Sequence, residues 1–305
     1  MKWVKKGLIY CPQGKHGFDV THAHKPTPLL IDKSTVRVYF GTRDIQGRTR
    51  TTFIDLEADN LSNIKYIHDR PVLDLGKIGT FNDCGVNVSS LVWYNDVLLM
   101  YYIGWNPSTT VPTRNAIGLA VSYDRGVTFQ RLYDGPILDR NKEEPYYTGA
   151  VDVLREGSAW KMWYTSGTEW VMVKGKPEIR YHIKYAESEN GIDWCRENVH
   201  CILPKNALEV TARPCVIKDG FLYKMWYSRR DIIDFRTDKN HNYRAGYAES
   251  PDGLSWKRLD EKVGIDVSER EDWDSEAIAY PYTLKLQHKW VLFYNGNGFG
   301  KTGFG

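Results

Sequence analysis

The sequence predicts an all-β fold, a five-bladed propeller. Three observations carry this: a long internal period, a turn motif in register with it, and no sustained helical pattern between the strand-like segments. A strand-like aromatic pair recurs as Tyr39-Phe40, Tyr101-Tyr102, Trp163-Tyr164, Trp226-Tyr227 and Phe293-Tyr294. The first members lie 62, 62, 63 and 67 residues apart, a spacing that chance does not hold over five copies. The flanks repeat too, as Lys161-Met162-Trp163-Tyr164 and Lys224-Met225-Trp226-Tyr227 show.

Within each period the order of elements follows from local chemistry. The strand after an aromatic pair ends in a serine-led turn, seen as Ser122, Asp124, Gly126 and Phe129, then Ser188, Asn190, Gly191 and Trp194, then Ser250, Asp252, Gly253 and Trp256. An Asp or Asn accepts hydrogen bonds from the turn backbone, Gly supplies a positive φ, and the aromatic pins the next strand. Each period thus holds about four short strands, the content of one blade. After Phe293-Tyr294 there is room for the rest of one strand and part of another. Trp3, within Lys2-Trp3-Val4-Lys5, resembles Trp194-Cys195 and Trp256-Lys257 after their turns. Residues of about 3–10 are therefore expected to complete the last blade and close the ring, which removes open sheet edges. Residues 1–305 then form a single domain without a linker.

Composition agrees with this reading. Of 305 residues 42% are hydrophobic, enough for a sizeable core, and 13% are aromatic, favouring strands and surfaces that stack on sugar rings. A net charge of +3 without a basic stripe argues against nucleic acid as a partner. No apolar run is long enough for a membrane span, and the start, Met1-Lys2-Trp3-Val4-Lys5-Lys6, lacks a signal-peptide core; a cytoplasmic location is expected. Five scattered cysteines, without CxxC spacing, read as reduced thiols rather than zinc ligands. No metal or cofactor is expected.

In a propeller the starts of the innermost strands crowd around one mouth of the central channel. Alignment on the aromatic pairs brings Glu209, Glu276, Tyr146, His22 and Asp83 or Cys84 to equivalent points. Deeper levels hold His24, Thr148, Thr211 and Ile278, then Arg213, Tyr280 and Pro26, with Asn87 nearby. Crowded carboxylates push their pKa values apart and so provide a proton donor and an ionised partner, as glycosyl transfer requires. Asp83, Glu209 and Glu276 are the expected catalytic carboxylates. His22, His24, Arg213, Tyr146, Tyr280 and Asn87 are expected to bind substrate, as are Arg43 and Arg229 in post-strand loops and Trp105 as a stacking surface. The bland alternative is that channel mouths are wet and collect polar residues whatever their function. His22 and His24, on one side of a strand, read as a metal pair only if further ligands join them, and none is apparent.

The period, the turns and the acids at inner-strand starts resemble the five-bladed glycoside hydrolase superfamily. That group includes the arabinanase and β-xylosidase family 43, the invertase and levansucrase families, and the mannoside phosphorylase family 130. The likeness covers nearly the whole chain as architecture. It implies an Asp on blade one, an Asp on blade two and a Glu on blade three. Asp83 suits the second of these. Blade one offers His22 and His24 with Asp19 just before, and blade three offers Glu143-Glu144-Pro145 upstream of the expected place. The implied activity is cleavage or transfer of a glycosyl unit of a small-molecule or oligosaccharide substrate. A phosphorylase-like or biosynthetic relative, or a glycan-binding propeller without turnover, stands as the alternative.

Overall fold

The structure, a computed structural model, describes residues 1–286 and 289–305. Its strands fall into the predicted periods. The first holds β1 (Thr21–Asp32), β2 (Thr35–Arg43), β3 (Thr49–Glu57) and β4 (Ile64–Ile67), each antiparallel to the next. The second holds β5 (Gly85–Tyr94), β6 (Val97–Pro107), β7 (Thr113–Ser122) and β8 (Gln130–Arg131). A single parallel bridge, Thr49 to Gly85, joins these two groups. The third period is β9 (Tyr147–Glu156), β10 (Ala159–Val173), β11 (Lys176–Ser188) and β12 (Cys195–Ile202). The fourth is β13 (Glu209–Asp219), β14 (Leu222–Asp231), β15 (Arg244–Ser250) and β16 (Lys257–Arg258).

The last period has two strands, β17 (Ala279–Leu286) and β18 (Lys289–Asn295). Asn295 of β18 forms an antiparallel bridge to Phe304, and Phe304 forms another to Tyr10. Nearer the start, the Trp3 amide and indole donate to the carbonyls of Gly264 and Val263. Lys5 reaches the buried Asp274 carboxylate at 2.7 Å. Among the first strands of the periods, β1 touches β5, β5 touches β9, β9 touches β13, β13 touches β17, and β17 touches β1.

The aromatic pairs are the hubs of the core. Tyr39, Tyr101, Trp163, Trp226 and Phe293, with Phe40, Tyr102, Tyr164 and Tyr227, are among the largest fully buried side chains. In three of the pairs the first member also reaches into the next period. Tyr39 donates to the Gly126 carbonyl at 2.8 Å, Tyr101 to Gly191 at 2.9 Å, and the Trp163 indole to Gly253 at 2.8 Å. Those glycines sit in the serine-led turns with φ of 82°, 74° and 81°. The serine hydroxyl accepts from each glycine amide. The two sequence motifs are thus the two halves of one contact between neighbouring sheets.

Three of the second members take a polar partner 20 residues upstream. Asn82 donates to Tyr102, Tyr164 donates to Glu144, and Tyr294 donates to Asp274. In the fourth period position 207 is an alanine, and Tyr227 instead donates to Asp260, which follows the outermost strand.

Among the described residues no helix is long and apolar enough to cross a membrane. All five cysteines are unpaired.

Candidate functional site

Each inner strand is interrupted by a bulge at a similar level, one to three residues before its partner to the first aromatic. At three of the five, the bulge is an X-Pro pair: Lys25-Pro26, Arg213-Pro214 and Tyr280-Pro281. Proline has no amide to give the ladder and so suits a bulge. The residue before it takes a left-handed backbone, with φ of 57° at Lys25, 55° at Arg213 and 54° at Tyr280. His22, at a further irregularity of β1, has φ 62°. A non-glycine residue in this region costs about 1–3 kcal/mol and persists where surrounding structure enforces it, commonly at functional sites.

Alignment on the aromatic pairs sets Pro26 level with Arg213 and Tyr280, whereas the structure sets Lys25 there. The β1–β2 hairpin carries an extra residue between Leu30 and Asp32, so Tyr39 pairs with Thr27 and the first blade is displaced by one. Lys25 was missed for this reason. The recurring X-Pro dipeptide was the signal that would have found it.

Below the bulges one residue from each inner strand faces the first aromatic: Thr27, Ser90, Asp152, Cys215 and Tyr282. Three of them, Ser90, Asp152 and Tyr282, are joined by hydrogen bonds. Asp152 accepts from Ser90 at 2.8 Å, from Tyr282 at 3.0 Å and from the Val216 amide at 2.6 Å. Burial raises its carboxyl to about 6 despite these donors and the nearby Arg213. Arg213, almost wholly buried, donates to the Ser89 carbonyl and to Thr27 and lies 4.8 Å from the Tyr282 ring.

On the other side of the bulges, cationic and aromatic side chains gather. Asn87 bonds His24 at 3.2 Å, and the His22 and His24 rings are 6.2 Å apart. Burial, then Arg43 and Lys301, lower His22 to about 4; burial, then Lys25, holds His24 well below the ordinary histidine value. Burial and the neighbouring cations thus favour the neutral form of both rings. With Asn87 donating to Nδ1 of His24, the hydrogen sits on Nε2, which has no protein partner. Position 41 must be glycine here, since a Cβ would stand 2.7 Å from Asn87 Oδ1 and 2.8 Å from His24 Nε2.

The Lys25 ammonium lies 5.2 Å from the Tyr280 ring centre, and burial, Arg213 and Arg43 bring it down to about 7. Tyr280 packs on Tyr243 at 5.3 Å, and Arg230 donates to both Tyr243 and Tyr181 at 3.1 Å while stacking on Phe235 at 3.6 Å. Tyr147 continues the wall beside Tyr181. At Tyr243 burial is outweighed by Arg230, which holds the phenol below its usual value. Apart from Tyr280 and Arg230, this wall was not found from sequence, because Tyr181 lies on a third strand and Tyr243 in the loop between a second and a third strand.

The three expected carboxylates have different surroundings, and none bonds another. Asp83 accepts from the Gly79 amide at 2.9 Å through one oxygen, while the other is buried without a protein partner. Glu209 is held bidentately by Arg258 at 2.7 and 2.9 Å and also accepts from the Lys205 amide. Burial raises its pKa, but those donors more than offset this and keep it ionised. The Glu276 side chain is exposed and bonds nothing among the described residues, although its backbone is tied to Asn297 and Arg244.

The other expected binders also separate. Arg43 pairs with Thr21 at the mouth end of β2 and makes no ion pair among the described residues. Arg229 faces Arg244 in a cavity of about 350 Å³ shared with Asp260 and Asp266. Trp105 lies over the Gly85 backbone, where a Cβ would come within 1.7 Å of its indole nitrogen. Tyr146 is exposed. Among the described residues no three His, Cys, Asp or Glu side chains gather as metal ligands.

Two Mycobacterium tuberculosis proteins, uncharacterized protein MT1551 of strain CDC 1551 / Oshkosh and uncharacterized protein Rv1502 of strain H37Rv, are each 35% identical to this chain over 306 residues. The alignments span 100% of this chain and 98% of theirs. The chain belongs to their family. No family model matches it.

Solved structures show the fold. A glycoside hydrolase superposes with a TM-score of 0.75 at 19% identity, covering 98% of this chain and 89% of that one. A protein described as BT0996, in a complex with RGII, gives 0.71 at 20% identity with the same coverage. A thermostable family-43 glycoside hydrolase gives 0.65 at 18% identity, over 92% of this chain and 85% of its own. The fold is that of the propeller-type glycoside hydrolases, as the sequence resemblance implied.

Proposed function

We propose that residues 1–305 form one closed five-bladed propeller whose channel mouth binds a glycan and cleaves or transfers a glycosyl unit. The cycle of contacts through β1, β5, β9, β13 and β17 supports five blades. The bridges from β18 through Phe304 to Tyr10 support closure by the N-terminal segment.

The observation that carries the functional reading is the unspent hydrogen-bonding capacity at the mouth. His24 Nε2, Asn87 Oδ1, Thr148 Oγ1 and Ser166 Oγ are buried without protein partners, on inner and second strands beside a wall of tyrosines. Unpaired buried polar groups are costly, and a polyhydroxylated ring against aromatic faces would pair them. Asp83 is the carboxylate best suited to proton transfer, because one of its oxygens is uncommitted. Glu276, exposed and unpaired, is the second candidate. Glu209 serves the scaffold through Arg258. Sugar release from a glycoside and oligosaccharide panel, with and without inorganic phosphate, tests this; Asp83→Asn is expected to abolish turnover. Full activity of that variant would remove Asp83 from the mechanism.

One observation favours a second reading, glycan binding without turnover. The groups closest to the bulges are cations and tyrosines, not a facing pair of carboxylates. Under that reading the same panel gives binding but no released sugar.

A further inference from the structure

Lys25, Arg43, Arg213 and Arg230 stand around one channel mouth, and none forms an ion pair with an acid among the described residues. The two other buried cations among the described residues are matched, Arg37 with Asp55 and Lys184 with Glu144. Of the acids that act on these cations, Asp152 beside Arg213 already accepts from Ser90, Tyr282 and the Val216 amide, and Glu178 beside Arg230 is paired with Arg236. The Lys25 and Arg43 side chains make no hydrogen bond among the described residues. Burying unmatched cations is expensive, and so is holding Lys25 and Arg213 in left-handed backbone. The fold maintains both at equivalent points of two blades. Beside them, the buried Nε2–H of His24 is a neutral donor with no acceptor.

From this geometry we infer that the mouth is an oxyanion site, in which Lys25, Arg43 and His24 take a phosphate or carboxylate group above the Arg213 floor. Arg213 itself is spent on Ser89 and Thr27 and supplies field rather than contact. Arg43 presents a planar fork suited to two oxygens, and Lys25 a compact point charge. Tyr280, between Lys25 and the Arg230–Tyr243 pair, forms the side wall. In combination with the proposed glycan reading, on which this part rests, the ligand is an anionic sugar: a sugar phosphate or a uronic acid. The anion site itself stands without that reading.

Titration calorimetry with inorganic phosphate, glucose, glucose 6-phosphate and glucuronate separates the sources. Saturable binding of phosphate or of an anionic sugar, weakened roughly tenfold or more by Lys25→Met and by Arg43→Gln, is the expected result. Lys142→Ala, at an exposed position, should leave it unchanged. Without ligand, Lys25→Met should melt no lower than the parent, because the Lys25 side chain has no acid or hydrogen-bond partner to lose among the described residues; Arg43→Gln gives an independent reading if the first variant folds poorly. Phosphate binding without any sugar binding would overturn the glycan reading and keep the anion site. Glucose binding as tight as the anions, indifferent to both substitutions, would overturn the anion site and keep the glycan reading. Failure of phosphate, sugar phosphate and glucuronate alike to bind would overturn the inference.

Discussion

Replacing Glu209 by Gln separates a scaffold role from a catalytic one. The carboxylate receives two bonds from Arg258 and one from the Lys205 amide, with only 7% of its side chain exposed. Removing one partner of a buried ion pair typically costs about 3–5 kcal/mol. Arg258 keeps a second carboxylate, Asp260, at 2.7 Å, so the low end, about 3 kcal/mol, is expected here. For a chain of this length roughly 2 °C of Tm follows each kcal/mol, giving a fall of about 6 °C. Thermal and urea unfolding of Glu209→Gln beside Glu276→Gln is the assay. The second, at an exposed and unpaired position, should stay within about 0.5 kcal/mol of the parent. The pH dependence has a definite sign. Folding depresses the Glu209 pKa, so its contribution is present above the unfolded-state value and is lost as pH falls through the folded-state value. The gap between parent and variant should therefore be full at neutral pH and close in acid. A Glu209→Gln protein that melts with the parent yet loses all turnover would refute this reasoning and return Glu209 to catalysis.

Tyr39→Phe removes the donor to the buried Gly126 carbonyl and should cost about 1–2 kcal/mol in urea unfolding, with no effect on ligand binding. Gly126→Ala should cost more than about 2 kcal/mol, since a Cβ there meets the Tyr39 hydroxyl at 2.0 Å; Gly47→Ala, also at positive φ but in open space, should cost only about 1 kcal/mol. Lys5→Met leaves the Asp274 carboxylate, 1% exposed, without its cation and should lower stability by about 3 kcal/mol by the same measurement. Gly41→Ala crowds Asn87 and His24 and should weaken ligand binding more than it lowers Tm, read by calorimetry against unfolding.

Much of this architecture was legible because it is written in residues that serve the repeat. Tyr39, Tyr101 and Trp163 recur since each must reach a glycine carbonyl in the next sheet, and such a geometric demand leaves a fixed period. The site was less legible. Counting back from the aromatics assumes hairpins of equal length, and the extra residue between Leu30 and Asp32 shifted the first blade and hid Lys25. Glu209 looked like a channel acid because inner-strand starts converge, but side chains there also point between sheets, and its partner Arg258 lies 49 residues away on the outermost strand. Arg230, Tyr181 and Tyr243 carry no shared spacing, so only the fold brings them together.

The aromatic-to-turn contacts also bear on how such a protein diversifies. Copying a single period would be the obvious way to lengthen the fold, yet the repeat in the sequence and the unit of cohesion do not coincide. A blade exchanged between relatives would carry its own aromatic but meet a foreign turn, and its own turn would meet a foreign aromatic. Tyr39 and Tyr101 offer a hydroxyl where Trp163 offers an indole, so the two sides of each seam are matched in reach. These seams span 87, 90 and 90 residues, more than one period, and therefore overlap along the chain. A chimera joined between Gly126 and Trp163 severs only the Tyr101 seam. One joined between Tyr101 and Gly126 severs that seam and the Tyr39 seam together.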